Sequence, residues 1–229
     1  MSKVVPASKI RKLIAKNMVN SWSTSPKCDF FTKVKVEQLL EFRKTFNEKN
    51  NVKVSFLNFV MKATAQALQE FPYVNASYDF ENHNHILHED INVGFALVVG
   101  DDLIVVNTKN TEKVNLIDLN KETNRLIEGS KTKKLTMDDI TGGTITINNM
   151  GIYKDLEYHT AIINQPEMSI LSIYTIKEEP VIENGEIKIG QIMNMALSAD
   201  HRVIDGKLAC EFLFRVKELI ENPDTISNL

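Results

Sequence analysis

Five short apolar runs, separated by turn-forming residues, limit the folds that this chain can adopt. They contain many β-branched and aromatic residues, as β-strands do, and cover 91–99, 103–106, 143–147, 168–176 and 187–197. Asn184-Gly185 lies between the last two runs and Gly100-Asp101-Asp102 between the first two, and both are typical of hairpin turns. The pattern therefore predicts a sheet that contains antiparallel hairpins.

Segments with helical periodicity alternate with these runs, which is typical of an α/β protein. Ser8 and Ser55 are candidate N-caps, while Pro72 and Gly129 are expected to end helices. Helices are predicted at 9–22, 37–48, 56–71, 114–129 and 206–222, and a further strand at 28–36. No internal repeat or Pro/Gly-rich linker divides the chain, so we expect 1–229 to form one α/β domain, a mixed sheet covered by helices.

Composition argues against several classes of protein. The net charge of −3 does not provide the basic surface of a nucleic-acid-binding protein, and no apolar run approaches the roughly 20 residues of a membrane span. The N-terminal segment lacks the apolar core of a secretory signal, and Cys28 and Cys210 form no CxxC pair. We therefore expect a cytoplasmic protein with reduced thiols that binds neither nucleic acid nor membrane.

Three of the five histidines lie close together, at positions 83, 85 and 88. If the segment is a strand, His83 and His85 share one face and could bind a metal ion. No cysteine or clearly placed acidic residue completes such a site nearby, so an exposed polar turn between strands is the favoured interpretation. We expect no metal site.

The segment Ser198-Ala199-Asp200-His201-Arg202-Val203-Ile204-Asp205-Gly206 is the strongest candidate for chemistry. His201 follows an apolar strand, Asp205 comes four residues later, and Gly206 stands where the chain turns into the last helix, where it would allow a tight turn or the approach of a ligand. A general base needs a fixed imidazole, and a loop of this kind can provide one. Taken alone, a capped helix start with an incidental histidine is an equally good explanation.

Motifs along the chain resemble, in order, those of the acyltransferase component of 2-oxo acid dehydrogenase complexes. His201-Arg202-Val203-Ile204-Asp205-Gly206 resembles that family's HRxxDG motif. Four further segments resemble its RKxIAxxM, VNAS, GGTFTISNLG and AIINPPE segments; they lie at 10–18, 74–77, 142–151 and 161–167. The resemblance extends from about Val5 to Pro223 and covers the family's catalytic domain.

The resemblance implies a chloramphenicol-acetyltransferase-like two-layer fold and a homotrimer, with larger cores as a further option. It also implies an active site in a channel between subunits, which coenzyme A enters from one side and a dihydrolipoyl arm from the other. By similarity, His201 is the general base that removes a thiol proton, and Asp205 keeps the loop in position. Arg11 in the first helix is a candidate ionic partner for Asp205.

The sequence departs from the family pattern at two positions. Asn148 stands where the family has a serine or threonine whose hydroxyl, from the neighbouring subunit, stabilises the oxyanion. The asparagine amide can also donate a hydrogen bond, so we expect it to take that role rather than merely to end a strand. His159 stands where the family usually has an aromatic residue; it is interpreted as a core substitution or part of the substrate channel and not as a catalytic group.

The chain shows neither a lipoyl domain nor a subunit-binding domain, so the lipoyl group is expected on another domain or protein, among dehydrogenase-complex components. The function implied by the resemblance is acyl transfer between a dihydrolipoyl thiol and coenzyme A. Two alternatives stay open: a stand-alone small-molecule acetyltransferase of the chloramphenicol type, and a scaffold core with weakened catalysis. The sequence leaves the acyl group open, since a few methylene groups in the channel decide it.

Overall fold

A six-stranded mixed sheet organises the molecule in the computed structural model, which describes residues 2–99 and 102–227. The described helices are α1 (Lys9–Thr24), α2 (Glu37–Asn50), α3 (Phe56–Glu70), α4 (Leu116–Thr132) and α5 (Gly206–Glu221), with short 3-10 turns at Asp138–Ile140 and Pro223–Thr225. The described strands are β1 (Lys27–Lys35), β2 (Ala76–Asp79), β3 (Asn84–Leu87), β4 (Val93–Val99), β5 (Asp102–Thr108), β6 (Ile145–Asn149), β7 (Ser169–Glu183) and β8 (Glu186–Asp200).

The large sheet has the strand order β1-β8-β7-β6-β4-β5, and β2 and β3 form a separate antiparallel pair. β6 runs parallel to both β4 and β7, whereas the other neighbours in the large sheet are antiparallel. Both predicted hairpins are present as the pairs β4–β5 and β7–β8. Gly100 and Asp101 of the first turn lie outside the described residues. The mixed α/β sheet predicted from the apolar runs is thereby confirmed.

The β7–β8 hairpin is longer than the apolar runs predicted. Its turn is at Asn184-Gly185, where both residues have positive φ, as expected. β7 extends to 15 residues because alternating polar and apolar residues continue its pairing with β8 into a solvent-exposed arm, where Ile182, Ile187 and Ile189 are exposed. β8 extends mainly at its other end, where Ser198, Ala199 and Asp200 are buried. Hydrophobicity alone therefore missed the exposed half of β7 and the last residues of β8.

One face of the large sheet carries the hydrophobic core. Alternate residues of β8 and β7 point to this side and are fully or almost fully buried, as Met195, Leu197 and Leu171 show. Helices α2 to α5 cover this face, and α5 contributes the buried stripe predicted from its periodicity: Ala209, Phe212, Leu213, Val216, Leu219 and Ile220. Helices α2 to α5 leave the opposite face of the sheet uncovered.

Helix α1 and the segment 150–168 lie over that opposite face. The Ser21 hydroxyl donates a hydrogen bond to the Ile163 carbonyl at 2.7 Å, and the Asn17 amide donates to Asn164 at 3.2 Å. These contacts hold α1 by its polar side, so that its apolar residues do not enter the core. Leu13 and Trp22 are 69% and 66% exposed.

Helix ends follow side-chain chemistry in most places. Ser8 and Ser55 accept hydrogen bonds from the backbone N–H three residues later, as predicted for N-caps. The expectation that Gly129 ends α4 is wrong: the helix continues to Thr132 and ends at Lys133, which has a φ of 57°. Gly129 instead makes room for Leu135, because a Cβ there would lie 3.2 Å from the Leu135 side chain. None of the described helices is long and apolar enough to cross a membrane.

The three clustered histidines lie around the β2–β3 hairpin. His83 is in its exposed turn, as predicted, whereas His85 is in β3 and packs edge-on against Tyr73 and Tyr78. His88 lies 2.9 Å from the Ser77 hydroxyl through its Nε2. Within the described part of the chain, no three His, Cys, Asp or Glu side chains are placed to hold a metal ion together.

Candidate active site

The loop that carries His201 connects the end of β8 to the start of α5. Its backbone is held on both sides: the His201 N–H donates to the Pro26 carbonyl at 3.1 Å, and the N–H groups of Val203 and Ile204 donate to the Asp200 carbonyl. The His201 side chain is exposed and has no hydrogen bond or ion pair with any residue that the structure describes. An imidazole presented on a fixed backbone can accept a proton from a bound thiol.

A buried ion pair next to His201 strengthens the loop. Arg202 binds the fully buried Asp200 carboxylate through Nη2 at 2.6 Å and Nε at 3.0 Å, and its guanidinium lies 3.7 Å from the centre of the Phe80 ring. Burial by itself would raise the pKa of Asp200, but hydrogen bonds from Arg202 and Ser25 outweigh it and hold that pKa below its ordinary value. The roles of Asp200 and Arg202 were not predicted from the sequence, although both residues lie next to His201 in it.

Asp205 is the N-cap of α5. Its Oδ1 accepts a hydrogen bond from the Leu208 N–H at 2.8 Å, so it joins the loop to the helix. The suggested pairing with Arg11 is wrong within one chain, because Arg11 forms an ion pair with Asp102 at 2.6 Å. Gly206 has no positive φ, and a Cβ there would make only an ordinary contact with Phe30, so the tight turn does not require a glycine.

Asn148 lies on β6, on the face of the sheet that the helices α2 to α5 do not cover. Its side-chain Nδ2 is 3.0 Å from Nε2 of His159 and 3.5 Å from the Ser172 hydroxyl. Tyr174 contacts the other side of His159, with its hydroxyl 3.1 Å from Nδ1. The two positions at which the sequence departs from the family pattern are therefore in direct contact, which their separation in sequence did not reveal.

A cleft of about 470 Å³ opens beside Asn148 and His159. Most of its lining is apolar and comes from α1, β4, β5 and the segment 159–164; it includes Ile14, Met18, Ala96, Leu103, Val105 and Ile162. A largely apolar cleft that also carries polar groups suits an extended thioester or thiol chain. Asn148 is one of the hydrogen-bond donors in its lining.

A buried acidic residue lies below this cleft. Glu167 is 2% exposed, and its Oε1 accepts hydrogen bonds from Thr146 at 2.9 Å and Asn164 at 3.0 Å. Burial raises the pKa of Glu167 to about 7 against these two hydrogen bonds. Its position in the segment 161–167 was the only signal in the sequence, and periodicity could not show that the carboxyl is buried.

His201 and Asn148 do not meet within one chain. Asn148 pairs with Ser172, which pairs with Ala196, five residues before His201 on β8. At about 3.3 Å per residue this is roughly 16 Å along the strand, in addition to roughly 10 Å across two strand spacings. The chain therefore presents two separate halves of a candidate site.

Known proteins resemble this chain over nearly its whole length. A family model described as the catalytic domain of 2-oxoacid dehydrogenases acyltransferase matches residues 1–227. The chain is 36% identical over 223 residues to the dihydrolipoyllysine-residue acetyltransferase component of the pyruvate dehydrogenase complex of Acholeplasma laidlawii, covering 96% of this chain and 41% of that protein. It is 34% identical over 225 residues to the dihydrolipoyllysine-residue succinyltransferase component of the 2-oxoglutarate dehydrogenase complex of Haemophilus influenzae, with coverages of 96% and 54%. The chain thus spans about half the length of the curated relatives it matches.

Solved structures show the same fold. A probable dihydrolipoamide acetyltransferase from Listeria monocytogenes superposes with a TM-score of 0.91 at 31% identity, covering 100% of this chain and 98% of that chain. The dihydrolipoamide acetyltransferase of Azotobacter vinelandii gives a TM-score of 0.92 at 29% identity, with coverages of 99% and 94%. That structure concerns one serine, one histidine and one asparagine in the catalytic mechanism, and the last two are four residues apart, as His201 and Asp205 are.

The predicted relation to chloramphenicol acetyltransferase holds at the level of fold. That protein superposes with a TM-score of 0.56 at 13% identity, covering 96% of this chain and 100% of that chain. The mixed sheet with helices on one face is shared, so the predicted chloramphenicol-acetyltransferase-like α/β fold is confirmed. From its motifs, its family match and its fold, this chain belongs to the family of 2-oxoacid dehydrogenase acyltransferase catalytic domains.

Proposed function

We propose that this protein transfers an acyl group between a dihydrolipoyl thiol and the thiol of coenzyme A. The observation that carries the proposal is the exposed His201 imidazole, presented on a loop that backbone hydrogen bonds and the Asp200–Arg202 pair hold in place. The relatives named as acetyltransferase and succinyltransferase components support the same reaction class. Residues 1–229 act as one catalytic domain, and the lipoyl group is carried by another domain or protein of a dehydrogenase complex.

The reaction uses His201 as the general base. A free thiol is mostly protonated at neutral pH, so His201 takes the proton as the thiol sulfur attacks the carbonyl carbon of the thioester. The tetrahedral oxyanion accepts a hydrogen bond from Asn148, which lies in the apolar cleft where such a bond is strongest. The intermediate then collapses, the other sulfur leaves, and that thiolate regains the proton from His201. Asp205 maintains the loop geometry and does not transfer protons.

The complete site forms between two subunits of a homotrimer. Within one chain, His201 is too far from Asn148 for both to contact one thioester, so a neighbouring copy supplies the second half. Apolar side chains around α1 and the cleft, such as Leu13, Val98 and Leu103, are more than half exposed and suit a contact between copies. The trimers can assemble further into a larger core. The two free cysteines favour a cytoplasmic setting.

The test is a coupled assay with dihydrolipoamide and a panel of acetyl- and succinyl-coenzyme A donors, with hydroxylated small acceptors in parallel. We expect acyl transfer to dihydrolipoamide and a loss of most turnover in His201→Ala, with the oligomer unchanged. Near-normal turnover in that variant would refute the general-base role. Transfer to hydroxylated acceptors only would indicate a small-molecule acetyltransferase, and a purified oligomer without any transferase activity would indicate a scaffold.

A further inference from the structure

We propose that His159 is a positioning residue that orients the Asn148 amide, so that an N–H rather than the carbonyl oxygen faces the acyl carbonyl in the cleft. This inference rests on the proposed function, in which Asn148 stabilises the oxyanion. His159 and Asn148 are in contact at 3.0 Å between Nε2 and Nδ2, and both side chains line the cleft.

An asparagine at this position has a difficulty that a serine or threonine does not have. A hydroxyl rotates freely to donate, whereas the planar amide has a donor end and an acceptor end. An amide turned by 180° would direct its oxygen toward the oxyanion and repel it. The site therefore needs a neighbour that accepts a hydrogen bond from Nδ2 and so fixes the orientation of the amide.

The hydrogen bonds of Tyr174 make His159 such an acceptor. The Tyr174 hydroxyl lies 3.1 Å from the His159 backbone N–H, from which it accepts, and 3.0 Å from the His159 carbonyl, to which it donates its single proton. The hydroxyl can then only accept from Nδ1 of the ring, at 3.1 Å. The imidazole proton is thus on Nδ1, and Nε2 is left as the acceptor for Asn148.

One N–H of Asn148 stays available for the reaction. Nδ2 carries two hydrogens, and the first is used by His159. Among the described residues, the second has only the Ser172 hydroxyl as a neighbouring acceptor, at 3.5 Å, which is at the limit of hydrogen-bond range. That N–H can therefore turn to a developing oxyanion at little cost.

The surroundings keep His159 neutral, which this arrangement requires. Burial lowers the pKa of His159, the Lys27 ammonium lowers it further, and Asp29 opposes them. Lys27 and Asp29 form an ion pair at 2.8 Å, so the acid is largely compensated. The other titratable groups against this ring are Tyr174, described above, and Tyr158, which packs edge-on against Tyr174. A neutral ring keeps Nε2 free of a proton.

The test compares two substitutions at position 159. His159→Phe keeps a planar ring but removes the hydrogen-bond acceptor. His159→Gln retains a hydrogen-bond acceptor of similar reach. We expect kcat to fall about tenfold or more in His159→Phe with KM for coenzyme A unchanged, a part of the 100- to 1000-fold effect of losing an oxyanion donor. His159→Gln should recover most of kcat. Equal kcat in wild type and His159→Phe would overturn the proposal, as would equal losses in both variants at unchanged Tm.

A second pair of variants separates this proposal from the role of Asn148 itself. In an Asn148→Ser background the donor is a hydroxyl, so adding His159→Phe should leave kcat within about twofold, a non-additive result. A further tenfold loss in the double variant would overturn the positioning role.

Nitrogen-15 NMR on histidine-labelled protein supplies a readout independent of activity: Nε2 of His159 should be unprotonated and hydrogen-bonded. Normal kcat in Asn148→Ala would refute the oxyanion role of Asn148, while an unprotonated, hydrogen-bonded Nε2 in the wild type would still support the orientation of the amide. A protonated Nε2 at neutral pH in the wild type would overturn that orientation.

Discussion

Two buried side chains on the face of the sheet opposite helices α2 to α5 carry an energetic cost. Among the described residues, Glu167 Oε2 and Asn107 Oδ1 are buried side-chain oxygens without a hydrogen-bond partner. Such groups destabilise a fold by about 1–3 kcal/mol each, and these two side chains lie close together, since a Cβ on Gly143 would approach both of them. These unpaired oxygens lower the stability of the fold close to the place where we propose that the substrate binds.

Glu167 predicts a pH dependence of stability. Burial raises the pKa of its carboxyl from 4.5 to about 7, so between these values the folded protein binds more protons than the unfolded chain. The contribution of Glu167 to the free energy of unfolding is therefore most favourable below pH 4.5. It decreases by about 3 kcal/mol in total as the pH rises and is lost above pH 7. Glu167→Gln should remove this dependence and raise the free energy of unfolding at pH 8, measured by urea titration. A variant with the same pH dependence as wild type would contradict the assignment.

Asp205 predicts a capping contribution that asparagine can replace. Its carboxylate accepts the Leu208 N–H at the start of α5, and loss of an N-cap typically costs about 1 kcal/mol. Asp205→Ala should lower the free energy of unfolding by about that amount, while Asp205→Asn, another good N-cap, should stay within a few tenths of a kcal/mol. Urea titration of both variants checks this. An equal loss in both would mean that the negative charge, rather than the cap, is what stabilises the loop.

Among the strands and helices, the segment just before β6 shows how closely the sheet is packed around the cleft. A Cβ on Gly143 would collide with the Oδ1 of Asn107, a side chain that is only 4% exposed. The glycine is needed for packing and not for backbone conformation, because its φ is not positive, unlike that of Gly142. Glycine is therefore required at 142 by the backbone conformation and at 143 by the packing.

Gly143→Ala should destabilise the protein by about 1–3 kcal/mol, since the buried Asn107 cannot move away freely. Gly206→Ala is the matched control: its Cβ would meet nothing nearer than 3.9 Å, and alanine is the better helix former. We expect Gly206→Ala to be neutral or slightly stabilising in thermal unfolding followed by circular dichroism. A control that is destabilised as much as Gly143→Ala would refute the packing explanation.

At the level of the assembled protein, the separation of His201 and Asn148 predicts complementation between two inactive variants. In a trimer mixed from His201→Ala and Asn148→Ala subunits, some interfaces combine the intact histidine of one copy with the intact asparagine of the next. With random mixing of equal amounts, about one quarter of the sites are complete, so activity should rise to about that fraction of wild type. The measurement is turnover of co-expressed subunits, with each homotrimer as the control. Mixed trimers no more active than the parents would show that the site lies within one chain.

Most strands, both hairpins, the N-caps at Ser8 and Ser55 and the loop that presents His201 could be predicted from the sequence alone. These depend on local chemistry: the Asn184-Gly185 turn, Ser8 and Ser55 as N-caps, and the apolar stripe of α5 are all encoded within a few neighbouring residues. The motifs in order were sufficient to indicate the family. The end of α4 was missed because the reason for Gly129 is a contact with Leu135 outside the helix.

The contacts between side chains that are distant in sequence could not be predicted and required the folded structure. The structure showed that Asn148 contacts His159, that the Tyr174 hydroxyl lies against Nδ1 of that histidine, and that Arg11 pairs with Asp102 and not with Asp205. It also showed that Glu167 is buried without a counter-ion among the described residues. The physical reason is that strand register joins residues that are distant in sequence, so contact, burial and the resulting pKa follow from the packed sheet and not from local pattern.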